Sequence, residues 1–184
     1  YCERLSRSKI TEVINSLISL GYAIPGAVVG LGIIILFTSI NNYLNSVYLI
    51  GTFFTLVYAL VIRFLAVGKS PIKSSIEKHP KSYDETGKIL GLNPLKLFSK
   101  IFFPINISAM IIAFIITFVD LMKELPITLI LRPFNFDTLA TQTYEFAIEE
   151  MLVKSSIYSL VIILIGASML IILKKFIYKN NYVS

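Results

Sequence analysis

Four long apolar stretches, roughly residues 22–40, 47–67, 105–122 and 155–173, constrain this chain more than any other feature. Each approaches the ~20 residues an α-helix needs to cross the ~30 Å hydrocarbon core of a bilayer. The charges inside them are confined to Arg63 and Asp120. Outer helices of a soluble core need a polar face, and these stretches have almost none. In lipid, backbone groups must be paired within the segment, so each stretch is predicted to be a helix. Composition agrees, because only 15% of residues are charged, against about 25% in an ordinary soluble domain. A soluble enzyme is disfavoured and disorder is excluded. Cys2, the single cysteine, excludes an internal disulfide or a cysteine-based metal site. The chain reads as an all-α membrane protein with four transmembrane helices.

Net charge is +6, and in a membrane protein its distribution sets orientation. Segments 1–21 and 68–104, the tail after 173, and Arg63 near the end of the second helix hold 14 of the 17 Lys and Arg residues. Lys123, Arg132 and Lys154 lie on the other side. The bias predicts that both termini are cytoplasmic, with Arg63 reaching the cytoplasmic headgroups by snorkelling. Residues 41–46 then form a short outer turn, 68–104 a cytoplasmic loop and 123–154 a longer outer segment. The first residue is Tyr1 and no signal peptide precedes the first span. We expect a single transmembrane domain over 1–184 that is a fragment beginning inside a cytoplasmic loop.

The cytoplasmic loop is the most informative segment. Ser82 and Glu85 have capping-box spacing, predicting a short helix from near Tyr83. Gly91 fits a left-handed cap that ends it. Asn93 then reads as an N-cap with Pro94 at the first helical position, opening a second short helix towards Lys100. Pro104 marks the start of the third membrane helix. Two caps within ten residues exceed what a bland amphipathic connector requires.

These residues resemble a known family. Permease subunits of binding-protein-dependent ABC importers carry a cytoplasmic loop of the form E-A-A, three residues, G, nine residues, I-x-L-P. Here Glu85, Thr86 and Gly87 are followed by Gly91 and, nine residues on, by Ile101, Phe102, Phe103 and Pro104. The Glu, Gly, Ile and Pro spacing matches. Thr86, Gly87 and Phe103 depart from the pattern, and Gly87 lowers helix propensity. The resemblance implies a coupling helix that docks on an ATP-binding subunit, with Glu85, Gly91, Leu92, Asn93 and Pro94 in that role. Residues 120–141, and the run from Gly21 through Pro25 and Gly26 to Ala27, look like the ferric-iron branch of these permeases. The likeness implies four helices of a six-helix permease core, the C-terminal half of a two-half chain, in the inner membrane. It implies a substrate-binding protein and a second permease half as further partners. It implies no cofactor and no catalysis by this chain. Thiamine, polyamine and phosphonate importers are related alternatives.

The third helix carries Asn106, Ala109, Ala113, Thr117, Asp120 and Glu124 on one face. That stripe reads either as a wall of the translocation path or as close packing through small residues. An intramembrane carboxylate usually faces a cavity or a partner, so Asp120 and Glu124 are candidates for a pore mouth. Lys123 lies three residues from Asp120 and is placed to neutralise it. Arg132 and Asp137 complete the candidate path. A short helix is expected after Asp137 or Thr138, either at the outer interface or as a solvated connector. Gly26 and Gly30 form a small-residue pair predicted to pack closely, with Pro25 a kink or helix start. Gly68, Lys69 and Ser70 mimic the end of a phosphate loop, but Arg63 stands where its first glycine belongs, so the match is chance. His79 in a basic loop does not suggest a metal site, and no nucleophile–base set is visible. A secondary transporter is the rival reading, requiring broken helices and buried coupling ionisable groups in place of a docking loop.

Overall fold

The computed structural model describes residue 4, residues 8–44 and residues 49–181. In chain order the helices are α1 (Lys9–Ala23), α2 (Gly26–Leu44), α3 (Phe53–Lys78), α4 (Ser82–Ile89), α5 (Pro94–Ile105), α6 (Ile107–Met122), α7 (Pro126–Leu131), α8 (Leu139–Ile148) and α9 (Leu152–Asn181). Among the described residues there is no strand. The expected all-α membrane architecture is the one found.

Helices α1 and α2 form one broken run. The Ser8 hydroxyl accepts the Thr11 N–H at 3.2 Å and opens α1. Pro25 disfavours helical geometry at the residue before it, and Ile24 is extended at φ −77°, ψ 134°. The run lies antiparallel to α3 along its whole length. Near the break, a Cβ on Gly21 would sit 2.4 Å from the Ile62 carbonyl oxygen. Further along α1, Lys69 donates to the Asn15 side chain. Beyond the break, Phe37 of α2 meets Tyr58 with ring centroids 5.5 Å apart. The segment 1–21, expected to be a cytoplasmic connector, thus contributes a helix packed on α3.

Thr52 caps the start of α3, accepting the Thr55 N–H. The helix continues past the expected end at 67 to Lys78, taking 68–78 out of the predicted loop. The core lies where α2, α3 and α7 meet. Val29, Ile33 and Phe37 pack against Leu56 and Ala59, and Ile127 and Leu131 close the cluster. Helix α7 therefore folds into the protein from within the segment expected to lie outside. Gly30 permits that approach, since a Cβ there would meet Ile130 at 3.2 Å, in accord with the predicted small-residue packing.

Helices α2, α3 and α9 are each long and apolar enough to cross a membrane. The fourth span exists only as a bent pair, α5 and α6 meeting at 70°. Pro104 explains part of that break, because it offers no N–H to the carbonyl one turn back. The chain responds with a π-helical turn over Phe98–Phe102. Asn106 sits at the bend, 3% exposed, its amide donating to the Phe102 carbonyl at 2.7 Å. Helix α6 alone has 16 residues, a length of about 24 Å.

Candidate functional site

The first candidate is the α4–α5 turn. Its helix starts at Ser82, one residue earlier than expected, so Ser82 lies in the first turn and does not cap it. The predicted stop is present. Gly91 has φ +67° and the Leu92 N–H reaches back to the Gly87 carbonyl at 3.0 Å, the six-to-one bond of a Schellman cap. The predicted restart is present too, with Asn93 accepting the Lys96 N–H at 2.8 Å and Pro94 following it. Gly87 is buried because α4 crosses closely over Leu97, and a Cβ there would lie 2.3 Å from a Leu97 methyl. Glu85, Gly91, Asn93 and Pro94 are exposed and Leu92 is half-buried.

Sequence reasoning missed the apolar part of this surface. Ile89, Leu90 and Leu95 are 85%, 66% and 79% exposed around the capped turn. They are indistinguishable from core residues until the turn fixes which way they point. A further missed residue is Arg4, whose guanidinium holds Asp84 at 2.7 Å.

The second candidate is the stripe on α6. Asn106, Ala109, Ala113 and Glu124 are all buried, and Ala113 and Thr117 also line a groove between α1, α3 and α6. On the same stripe Thr117 faces α3, where a Cβ on Gly68 would meet its hydroxyl at 3.3 Å. Asp120 is half-buried and pairs with Lys123 at 2.8 Å, as expected from their spacing. The hydrogen bond that Lys123 donates to Asp120 is the main influence holding its ammonium above the ordinary pKa, opposed by partial burial.

Glu124 stands apart from Asp120. Its carboxylate is 3.4 Å from the Arg63 guanidinium and accepts the Ile127 N–H at 3.2 Å. Arg63 in turn donates to the Ile24 carbonyl at 2.5 Å. The Gly26 Cα leaves room for this contact, as a Cβ would be 2.8 Å from the Glu124 oxygen. One ion pair thus joins the α1–α2 break, the middle of α3 and the start of α7. Arg63, expected to reach for headgroups, thus has its carboxylate and carbonyl partners within the protein.

The last candidates, Arg132 and Asp137, come together in another network. Arg132 pairs with Asp137 and with Glu145, and Gln142 donates to Asp137 at 2.8 Å. Thr138 caps α8 reciprocally with Thr141, as the sequence suggested for Thr138. Among the described residues no group of acidic, His or Cys side chains is arranged to hold a metal ion.

A groove of about 1650 Å³ runs between α1, α3 and α6. Val61, Leu65, Phe114 and Thr117 are among its lining residues, together with Glu12, Lys69 and Glu85. A broken membrane-helix bundle with such a groove and a capped extramembrane turn is the build of a permease. Residues 1–179 match the family described as binding-protein-dependent transport system inner membrane component, and the chain belongs to that family. It is 30% identical over 173 residues to the Fe(3+)-transport system permease protein FbpB 2 of Haemophilus influenzae, covering 94% of this chain and 33% of that protein. It is 26% identical over 150 residues to the glucose import system permease protein GlcU of Saccharolobus solfataricus, covering 80% of this chain and 50% of that one. The chain thus spans no more than half the length of either relative.

Proposed function

We propose that this chain is a membrane-embedded module of an ABC importer that moves ferric iron across the inner membrane. The observation that carries the reading is the α4–α5 turn, capped at both helices and presenting Ile89, Leu90 and Leu95 outward. An apolar cluster on a turn with fixed geometry suits docking into a cleft of a separate ATP-binding subunit. Glu85, Gly91, Leu92, Asn93 and Pro94 complete that surface. A substrate-binding protein delivers cargo on the opposite side, and a second permease half closes the groove between α1, α3 and α6 into a path. On this reading both chain ends face the cytoplasm. ATP is hydrolysed by the partner, and movement of the docked turn tilts the helices to alternate access.

Docking is tested by Leu90→Asp combined with Leu95→Asp. Burying one such leucine contributes about 1.5–3 kcal/mol, so association should fall at least ~100-fold for the pair. Gly91→Ala acts through the cap alone. Its Cβ meets nothing within 4 Å, so the cost is the left-handed backbone, about 1–2 kcal/mol. Co-purification of the ATP-binding subunit is the measurement. Undiminished association in both variants would remove the docking reading.

The likeness to an Fe(3+) permease supports iron as cargo, and carboxylate oxygen suits a hard trivalent ion. Asp120, with Lys123, is the candidate for the outer mouth of the path. Glu124, Arg132 and Asp137 act beside it by holding the surrounding helices in place. Asp120→Asn should lower ferric-iron uptake about tenfold per assembled complex, a loss of about 1.4 kcal/mol. An unchanged normalised rate would withdraw Asp120 from the path. The glucose-import relative supplies a second reading for cargo. Uptake of glucose, thiamine, a polyamine or a phosphonate in place of iron would change the cargo and keep the importer.

A further inference from the structure

We infer that Arg4 is a positioning residue that couples the docking turn to the end of α3, the helix on which α1 is packed, so that a movement of the turn reaches the groove wall. This rests on the docking reading above and adds how the docked turn is linked to the groove wall.

The Arg4 side chain meets four pieces of the chain at once. Its Nε donates to the Asp84 carboxylate in α4 at 2.7 Å. One terminal nitrogen donates to the Ile76 and His79 carbonyls at 2.6 and 2.8 Å, and the other to the Pro80 carbonyl at 2.8 Å. The guanidinium carbon lies 5.1 Å from the centre of the Phe102 ring, in the π-helical turn leading to the 70° bend.

Each contact has a reason. The last carbonyls of a helix have no intrahelical donor, and a cation there also meets the negative end of the helix dipole. The planar fork of arginine serves several acceptors together, which a lysine ammonium on a flexible stem does less well. Arg4 and Asp84 are each only 14% exposed in their side chains, so the pair is shielded from solvent. The bond to Asp84 therefore joins the docking helix to the end of α3. Asn15 and Gly21 hold α1 to the rest of α3. Arg4 and Asp84 both line the groove, as do Glu12, Ile14 and Asn15 of α1. On this reading Arg4 adds a side-chain tie to the short 79–81 connection between α3 and α4, so that a push on α4 reaches the groove wall.

The test uses the full permease with its ATP-binding subunit in liposomes. A thiol is placed in the groove by Ile14→Cys in a Cys2→Ser chain, and its labelling rate is compared with and without a non-hydrolysable ATP analogue. The analogue should change the rate at least about fivefold, the scale of an ordinary coupling energy. Asp84→Ala removes the acceptor for Nε and leaves every carbonyl contact of Arg4 in place, and Arg4→Met removes them all. Both should abolish the nucleotide response while the ATP-binding subunit stays bound. The inference is overturned if Asp84→Ala responds as fully as its parent, whatever the fate of Arg4→Met. It is equally overturned if the parent shows no response. Loss of the ATP-binding subunit from the unsubstituted permease would instead sink the docking reading itself.

Discussion

Glu124→Ala should be the most damaging single substitution outside the backbone-critical positions. It leaves Arg63, 17% exposed in its side chain, without its carboxylate, and it strips the acceptor from the Ile127 N–H. Breaking a buried pair from one side costs about 3–5 kcal/mol, because the remaining charge is uncompensated. Removing both charges with apolar residues should recover much of the loss, since the desolvation cost disappears with them. Glu124→Gln keeps an oxygen for Ile127 and should fall between the two. Reversible unfolding of the purified protein in mixed micelles measures all three. A loss below about 1 kcal/mol for Glu124→Ala would mean that the junction is held by apolar packing alone.

Gly21→Ala should separate α1 from α3. The added Cβ would meet backbone, the Ile62 carbonyl oxygen at 2.4 Å, and not the movable end of a side chain. Neither helix can yield without shifting, and overpacking of this kind costs about 1–3 kcal/mol. The expected result is a displaced α1 whose Asn15 no longer reaches Lys69. Disulfide formation between Asn15→Cys and Lys69→Cys, in a chain lacking Cys2, reports that separation directly. Cross-linking as efficient in the Gly21→Ala background as in its parent would show that the helices are not held at that distance.

Much of the fold was legible because bilayer physics writes it in long apolar runs. Most of the stretch 22–40 lies in α2, beyond the break at Ile24, while 53–67 lies in α3 and 155–173 in α9. The turn chemistry was legible for the same kind of reason: Gly91, Asn93 and Pro94 have few conformations open to them, and each took the predicted one. What escaped depended on contacts distant in sequence. Nothing local distinguishes Arg63 as the partner of Glu124 from an arginine reaching for headgroups. Residues 9–23 are polar enough to read as a connector, and contacts distant in sequence, Gly21 against Ile62 and Asn15 with Lys69, make them a packed helix. Arg4 counted merely as one positive charge until Asp84 and three carbonyls were found around it. The Asn106 bend was hidden for the opposite reason. An unbroken apolar run from Ile105 reads as a straight span, although Pro104 stands just before it.

The Arg63–Glu124 pair also orders biogenesis. A ribosome adds about 5–20 residues per second, so α3 reaches the translocon several seconds before Glu124 exists. During that interval Arg63 stands in a nascent hydrophobic segment with no counter-charge, at an insertion cost of about 2.5–3.5 kcal/mol near a helix centre. The apolar residues around it must carry α3 into the bilayer unaided, or the segment must wait at the lateral gate until α6 and α7 are made. The salt bridge can therefore close only after Glu124 has been synthesised.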